Sequence, residues 1–249
     1  MVTATYGHPI AGRKTVTGTL YGIGVGPGDP ELITLKAHRI LQSVPVVAWP
    51  APLEGDSMAR RIAAPHLTHD PVEIPIRMPI EATQFPDRSV YDQAAVEIGS
   101  HLDSGRDVAA LCEGDPFFYG SFMYLFGRMA PQYDITIVPG ISSLMASAAA
   151  LESPLASRND LLTVVPAPLE ELALTDAVAA ADSVAIIKVG RHLTKVRRVL
   201  GKLGLLDSAQ YVAYATMSEQ AIKPLTSVTE EQAPYFSLIL SHKRGAAWR

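Results

Sequence analysis

The chain has 249 residues, of which 48% are hydrophobic and 18% charged, and this length allows one large or two moderate domains with cores of their own. Its net charge of −4 at pH 7 and its lack of a basic run argue against a nucleic-acid-binding surface. No apolar run reaches the roughly 18 residues of a membrane span, and the N-terminal segment lacks the apolar core of a secretory signal. We therefore expect a globular α/β protein that has neither a nucleic acid nor a membrane as a partner.

Cysteine and histidine give no metal-binding pattern. Cys112 is the only cysteine, which excludes an internal disulfide and a thiol metal cluster and favours a reducing, cytoplasmic location. It ends a buried apolar run, so we interpret it as a packed small side chain rather than a nucleophile. His66 and His69 are three residues apart, but no third ligand stands near them in the sequence, and no metal is expected.

Strands and helices alternate through the first half of the chain, after a leader at residues 1–18 that we expect to be disordered. Strands are predicted at residues 20–25, 44–49, 108–112 and 135–138. Helices are predicted at residues 31–42, 57–64, 91–103, 121–129 and 142–150, with Asp29 as the cap of the first and Pro30 in its first turn. Because strand and helix follow each other repeatedly, the pattern predicts a mainly parallel sheet.

The pattern breaks at residues 153–155, which we interpret as a domain boundary. Beyond it, strands are predicted at residues 161–165, 183–189, 210–215 and 235–240, and helices at 169–181 and 193–203. The expected fold class is α/β with two lobes: residues 19–154 with the parallel sheet, and residues 155–244 with a mixed sheet. Residues 245–249 are expected to form a short tail.

Two glycine- and proline-rich loops, at residues 24–32 and 112–120, each follow a strand and precede a helix. Ligands of open α/β sheets bind in the crevice at the carboxyl ends of the strands, so both loops should line one pocket. A dinucleotide fingerprint fails here, because its third glycine is replaced by Asp29 and Pro27 removes an amide that a pyrophosphate would use. A plain strand–turn–helix joint explains either loop alone equally well.

Taken together, six segments resemble one family. They are the loops Gly-Val-Gly-Pro-Gly-Asp-Pro-Glu-Leu (24–32) and Cys-Glu-Gly-Asp-Pro-Phe-Phe-Tyr-Gly (112–120), Val-Pro-Gly-Ile-Ser-Ser (138–143), Ile-Lys-Val-Gly-Arg-His (187–192), Ala-Thr-Met (215–217) with Gln220, and Pro-Tyr-Phe-Ser-Leu (234–238). In this order they resemble the tetrapyrrole C-methyltransferases, which use S-adenosylmethionine to methylate carbons of corrin and sirohaem precursors. The resemblance runs from about Leu20 to Leu240.

The resemblance implies that S-adenosylmethionine binds between the two lobes and leaves as S-adenosylhomocysteine. It implies the following cofactor contacts, many of them through the backbone: Pro27, Glu113, Gly114, Asp115, Phe118, Ser142, Ser143, Val189, Ala215 and Met217. For the side chain of Asp115 we favour a structural role over a bond to the ribose or the ammonium group of the ligand.

Candidates for contact with the macrocycle are less specific. Tyr119 and His192 are the catalytic candidates. The alternative for the first is a core aromatic side chain, and for the second a surface histidine. Guanidinium groups suit carboxylates, and the candidates for the acetate and propionate groups are Arg77, Arg88, Arg158 and Arg191, although each is individually expected at the surface. Uroporphyrinogen methyltransferases carry a Tyr-Asp pair after the second strand, and the aspartate is proposed there as a base. Here that place holds Trp49-Pro50, so no base is assigned.

Three stretches look most like the family members that methylate C20 of precorrin-2 to give precorrin-3A in cobalamin biosynthesis: residues 112–124, 188–193 and 234–237. A close alternative is C20 methylation of the cobalt-containing macrocycle in the anaerobic route. A dinucleotide-binding dehydrogenase, a diphthine synthase, an RNA ribose methyltransferase and a non-catalytic tetrapyrrole carrier are more distant alternatives. The resemblance also implies a homodimer.

Overall fold

The computed structural model describes residues 18–78 and 88–245, with the side chain of Arg88 outside the description. The predicted leader up to residue 17 and the predicted tail beyond residue 245 also lie outside the described residues. The first half forms strands and helices in alternation: β1 (Leu20–Gly24), α1 (Leu35–Leu41), β2 (Val46–Pro52), α2 (Met58–Ala63), β3 (Val72–Met78), α3 (Arg88–Asp103), β4 (Val108–Cys112), α4 (Phe122–Met129), β5 (Ile135–Val138) and α5 (Ser143–Ala150).

The five strands of the first half make one parallel sheet in the order β3-β2-β4-β1-β5, which confirms the predicted parallel sheet. The centre of this sheet is its switch point. Strands β1 and β4 are neighbours. After β1 the chain continues to β2 on one side of this pair, and after β4 it continues to β5 on the other side. Loops that follow such a pair diverge and leave a crevice between them, where ligands of open α/β sheets bind.

The second half forms β6 (Leu162–Pro166), α6 (Glu171–Ala180), β7 (Ser183–Ile187), α7 (Leu193–Lys202), β8 (Gln210–Ala213), β9 (Ala221–Pro224) and β10 (Ser237–His242). Its sheet has the order β6-β7-β10-β8-β9, with β6 and β7 parallel and the other pairs antiparallel, which confirms the predicted mixed sheet. The carboxyl ends of β6, β7 and β8 therefore lie at one edge, where β10 begins.

Helix α5 connects the lobes through its packing. The sequence assigns it to the first lobe, but its buried residues Leu144 and Ala146 pack against Ile187, Val212 and Leu238 of the second sheet. Burial of this apolar surface stabilises one arrangement of the two sheets. The segment that joins the sheets, residues 151–161, follows α5 directly.

Most predicted elements agree with the structure to within a few residues, and two strands, β3 and β9, were missed. Strand β3 alternates exposed and buried residues in the way a half-buried strand should, but Pro75 in its middle hid it. Proline is tolerated there because β3 is an edge strand. The first predicted helix is split into a short 3-10 helix, which Asp29 caps, and α1, which Thr34 caps.

Within residues 18–78 and 88–245, no helix has the length and apolar character needed to cross a membrane.

Candidate active site

The loops that follow β1 and β4 are bonded directly to each other. The N–H of Gly114 donates to the carbonyl of Gly26 at 2.8 Å, and the N–H of Gly26 donates back to the carbonyl of Gly114 at 3.3 Å. The two loops that the sequence placed in one pocket thus form a single structural unit at the switch point of the sheet. Both glycines have positive φ angles, of 86° and 63°, which L-residues with a side chain rarely adopt.

A third loop, after β5, is packed against the first two. A Cβ atom on Gly140 would collide with the carbonyl oxygen of Gly114 and lie 2.8 Å from the Cα of Gly24. Asp115 joins the same loops by hydrogen bonds: Oδ1 accepts from the N–H of Phe117 at 2.9 Å, and Oδ2 accepts from the N–H of Gly140 at 3.0 Å. Both carboxylate oxygens of Asp115 therefore serve loop structure.

The second lobe reaches the first loop from the other side of the crevice. The N–H of Asp29 donates to Oγ1 of Thr216 at 3.0 Å. A Cβ atom on Gly28 would lie 2.5 Å from Cγ of Met217 and 3.0 Å from the carbonyl oxygen of Ala215. Ala215 and Met217, which the sequence predicted from the second lobe, are thus brought against the loop that contains Pro27.

Strained residues surround this junction. Tyr119, Lys188, Tyr214 and Thr216 have φ angles between 51° and 67°, in the left-handed region that costs a residue with a side chain on the order of 1–3 kcal/mol. Nζ of Lys188 lies 5.6 Å from the ring centroid of Tyr119, so a residue of the second lobe contacts the loop after β4. Such strain is found where the surrounding structure holds a site in a fixed shape.

The other residues predicted for the cofactor lie in the same loops and turns. Pro27 is buried, and Ser142 is buried at the N-terminus of α5, with Ser143 exposed beside it. Phe118 is half-exposed and packs edge-to-face on Tyr119, with ring centroids 5.2 Å apart. Val189, directly after Lys188, is fully buried in the core of the second lobe. Its side chain is therefore committed to packing, which leaves its backbone groups for any ligand contact.

Glu113 is the carboxylate at the carboxyl end of β4. Its Oε1 accepts from the N–H of Ala59 in the first turn of α2 at 3.2 Å. Burial raises the pKa of Glu113 above its ordinary value, against the lowering effect of hydrogen bonds from its own N–H and that of Ala59. Across the crevice, Tyr235 of the second lobe lies in the field of Glu113. Tyr235 is 61% exposed, and partial desolvation by its neighbours together with the charge of Glu113 raises the pKa of its phenol.

An open cavity of about 430 Å³ lies between the edge strand β3 and helix α2, lined in part by Trp49, Arg60, Arg61 and Arg77. Arg60 lies 5.4 Å from the Trp49 ring centroid and makes two hydrogen bonds to one oxygen of Glu73, at 2.6 and 2.8 Å. Arg77 is exposed and donates to the carbonyl of Pro52. Of the arginines at this cavity, only Arg77 is among the sequence-based candidates for the substrate carboxylates. Arg60 and Arg61 are not among them, because their place depends on how α2 is oriented.

Arg61 connects the cavity to the crevice. Its Nη2 lies 4.0 Å from the sulfur of Met217, whose side chain contacts the Gly28 position. Three guanidinium groups face two carboxylates, Asp56 and Glu73, among the residues that line the cavity, so its lining is net positive. An anionic group held there would lie next to a ligand in the crevice.

Four other predicted residues lie elsewhere or in other surroundings. Arg158 is exposed in the segment between the sheets, next to Asp160, which bonds His242 at the end of β10. That is the edge of the second sheet opposite the crevice. Arg191 is exposed and His192 partly buried in a 3-10 turn after β7, and burial lowers the pKa of His192, assisted by Lys195 and Arg191. Arg88 begins α3, and its side chain lies outside the described residues.

His66 and His69 both make hydrogen bonds. Nδ1 of His66 lies 3.0 Å from Nδ1 of His38, and its Nε2 lies 3.0 Å from the carbonyl of Pro30. Nε2 of His69 lies 2.8 Å from the carbonyl of Val44. Among residues 18–78 and 88–245, no cluster of three or more metal-ligating side chains occurs.

Comparison with known proteins identifies the family. The sequence profile of the tetrapyrrole (corrin/porphyrin) methylases matches residues 19–229. The chain belongs to this family. The prediction made from the six segments is thereby confirmed, and the two-lobed plan with a crevice at the switch point is that of a tetrapyrrole methylase.

Several curated tetrapyrrole methylases are similar over nearly the whole chain. The cobalamin biosynthesis protein CobIJ of Mycobacterium bovis is 41% identical over 90% of the chain, and the chain spans about half of its length (46%). The precorrin-2 C(20)-methyltransferase of a Sinorhizobium species is 38% identical over 90% of the chain and 94% of the relative. The cobalt-precorrin-2 C(20)-methyltransferase of Salmonella typhimurium is 30% identical over 92% and 98% of the two chains.

Solved structures of the family share the fold. A cobalt precorrin-4 methyltransferase is similar with a TM-score of 0.71 at 23% identity, covering 94% of this chain and 98% of that one. The uroporphyrin-III C-methyltransferase of Thermus thermophilus, solved with S-adenosylhomocysteine, is similar with a TM-score of 0.67 at 22% identity, covering 91% and 92%. At these identities the likeness supports the fold alone.

Proposed function

We propose that the chain is an S-adenosylmethionine-dependent methyltransferase that methylates C20 of precorrin-2 to give precorrin-3A in cobalamin biosynthesis. The observation that carries this proposal is the 38% identity to a precorrin-2 C(20)-methyltransferase over 94% of that relative. The cobalt-containing macrocycle is the second candidate substrate, because the relative of that name is also similar over its full length. No comparison supports a dehydrogenase.

The charges of the crevice suit a sulfonium ligand. The carboxylates of Asp29, Glu113 and Asp115 stand in the loops after β1 and β4, and the buried Pro27 offers no N–H. A pyrophosphate would meet repulsion from these groups, whereas the sulfonium and ammonium charges of S-adenosylmethionine would be attracted. The tight junction of the three loops leaves their remaining backbone groups to bind the nucleoside and the amino acid.

S-adenosylmethionine, when bound, supplies a methyl group already activated by the positive sulfur. The protein therefore has mainly to hold the donor and the macrocycle in line and to keep water out. Residues of both lobes do this: the bonded pair Gly26 and Gly114 fixes the first lobe, and Thr216 with Met217 fixes the second against it. No side chain has to form a covalent bond in this chemistry.

The peripheral carboxylates of the macrocycle fit the cavity beside α2. Arg61 and Arg77 stand at its rim, more than half of the Arg61 side chain is exposed, and guanidinium groups bind carboxylates through paired hydrogen bonds. At its wall the Arg60 guanidinium lies 5.4 Å from the centroid of the Trp49 ring. We include Arg77 and Arg61 in the proposed substrate site, leave out Arg158 because of its place at the opposite edge, and keep Arg191 as a secondary candidate.

Incubation of the purified protein with S-adenosylmethionine and each macrocycle tests the proposal. Mass spectrometry should show one added methyl group on precorrin-2, and NMR should locate it at C20. Methylation of the cobalt-containing macrocycle alone would reject the first candidate in favour of the second. A methyl group at another carbon, or no methylation with either macrocycle, would refute C20 specificity or the activity itself.

A homodimer in the cytoplasm is part of the same proposal, supported by the resemblance stated above. Light scattering coupled to gel filtration should give twice the chain mass of 26.7 kDa. A monomer at micromolar concentration would refute the dimer and leave the activity proposal untouched.

A further inference from the structure

Lys188 of the second lobe lies directly after the end of strand β7, and its side chain is exposed. Its Nζ lies 5.6 Å from the ring centroid of Tyr119, which belongs to the loop after β4 in the first lobe. The Tyr119 side of this contact is open as well, because that residue is 44% exposed. The ammonium group of Lys188 is therefore placed at the junction of the two lobes and within reach of solvent.

The backbone holds both residues of this contact in an unusual shape. The φ angle is 56° at Lys188 and 56° at Tyr119, in the left-handed region that residues with a side chain rarely adopt. The segment after Lys188 is anchored within its own lobe: Val189 is fully buried, and the carbonyl of Gly190 accepts from the N–H of Ala233 at 3.0 Å. These contacts fix the place from which the ammonium group projects.

The charge of Lys188 has no partner in the described part of the chain. Nζ makes neither an ion pair nor a hydrogen bond there, and an aromatic ring at this distance attracts an exposed cation only weakly. No carboxylate occurs in the sequence between Asp182 and Asp207, so neighbours along the chain do not neutralise the lysine. Lys188 can therefore bind an anion without first breaking an ion pair.

We propose that Lys188 binds a ligand carboxylate at the junction of the lobes. The inference rests on the proposed function, whose two ligands both carry carboxylates: the amino-acid group of S-adenosylmethionine, and the acetate and propionate groups of the macrocycle. The carboxylates in the loops after β1 and β4 attract the cationic groups of the cofactor but repel a carboxylate. Lys188 offsets that repulsion from the second lobe, whereas the arginines of the cavity beside α2 stand in the first.

The test replaces Lys188 with methionine, which keeps the length of the side chain and removes its charge. Calorimetry compares S-adenosylhomocysteine with methylthioadenosine, a nucleoside thioether that lacks the amino-acid group. If the carboxylate belongs to the cofactor, Lys188→Met should lower the affinity for S-adenosylhomocysteine about tenfold and leave that for methylthioadenosine within about twofold of wild type. If it belongs to the macrocycle, both affinities should stay at the wild-type value, and KM for the macrocycle should rise about tenfold with kcat within about twofold.

Two further variants control for the loss of charge. Lys223→Met removes a lysine of the edge strand β9, whose ion pair with Glu230 is 3.7 Å long and exposed, and it should behave as wild type. Lys188→Arg keeps a cation and should retain more of the affected affinity, or a lower KM, than Lys188→Met. Added salt screens exposed charges, so it should weaken binding of the affected ligand more in wild type than in Lys188→Met.

Two results would overturn the proposal. The first is unchanged affinities together with an unchanged KM in Lys188→Met. The second is an equal loss of affinity for both nucleosides, because methylthioadenosine has no carboxylate and an equal loss would mean that Lys188 only holds the lobes together. Failure of wild type to methylate either macrocycle refutes the proposed function instead. The two titrations need no turnover, and in that case an unchanged affinity for S-adenosylhomocysteine would reject the role of Lys188.

Discussion

Asp115 tests whether the backbone hydrogen bonds that one carboxylate accepts hold the loops of the crevice together. Replacement by alanine removes the acceptors for the N–H groups of Phe117 and Gly140, at 2.9 and 3.0 Å. A hydrogen bond to a charged group contributes about 1.5–3 kcal/mol when well buried. Because Asp115 is partly accessible to solvent, we take the lower part of that range for each bond and expect a loss of about 2–4 kcal/mol.

For a chain of this size, about 1 kcal/mol shifts the unfolding midpoint by about 2–4 °C, so Asp115→Ala should melt roughly 5–15 °C below wild type in scanning calorimetry. The affinity for S-adenosylhomocysteine should also fall, because the loop after β5 is no longer tied to the loop after β4. The matched control is Asp92→Ala, which removes a carboxylate bonded to Arg128 at 2.6 Å but 64% exposed. An exposed pair of this kind should cost about 1 kcal/mol or less.

The two roles considered for Asp115 predict different results. A structural role requires lower stability of the ligand-free variant. A bond to the ribose or the ammonium group of the ligand would instead leave the ligand-free midpoint at the value of Asp92→Ala and reduce only the increase in midpoint that the ligand gives. That second outcome would refute the reasoning from the hydrogen bonds.

Two further predictions concern packing and pH. Gly140→Ala should abolish S-adenosylhomocysteine binding in calorimetry, since its Cβ would collide with backbone atoms of Gly114 and Gly24. The control is Gly127→Ala, which has open space around it in α4 and should bind normally. Normal binding by Gly140→Ala would contradict the packing argument. Hydrogen bonds from the Ser157 N–H, His242 and Arg244 lower the pKa of Asp160. The ionised carboxylate therefore stabilises the fold at any pH above the ordinary aspartate pKa of about 4, and this contribution to stability is lost as the pH falls below it. Asp160→Asn should therefore melt below wild type at neutral pH by a margin that narrows toward pH 3 or so, and a margin independent of pH would contradict the assignment.

The sequence predicted those parts of the fold that depend on local patterns. The sequence gives β4 and β5 at their observed bounds for different reasons. β4 is a central strand whose residues are all buried and apolar, and β5 is a short run of β-branched residues at the edge of the sheet. Strand β3 was missed since Pro75 outweighed the alternation around it, and β9 since its four residues are mostly exposed. The mixed sheet of the second lobe was predicted only as a class, because strand order depends on contacts between distant segments.

The sequence predicted which loops form the site, but not which residues of these loops bond to each other. The sequence placed the two glycine-rich loops at one edge, and the position of both at strand ends was sufficient for that. It gave no sign that Gly26 and Gly114 bond to each other, or that Asp29 bonds Thr216, which is 187 residues away. Partners so far apart are chosen by the packing of the two lobes, and a single sequence carries no local signal of that packing.

Close packing of the loops explains two of the glycines at the crevice. Gly24 and Gly140 are required by the carbonyl of Gly114, since a Cβ on either would meet that oxygen. The glycines let three strand ends converge, and the contacts among them fix the shape of the crevice at the switch point of the sheet. The shape of the crevice and the chemistry proposed for it therefore depend on the same backbone contacts.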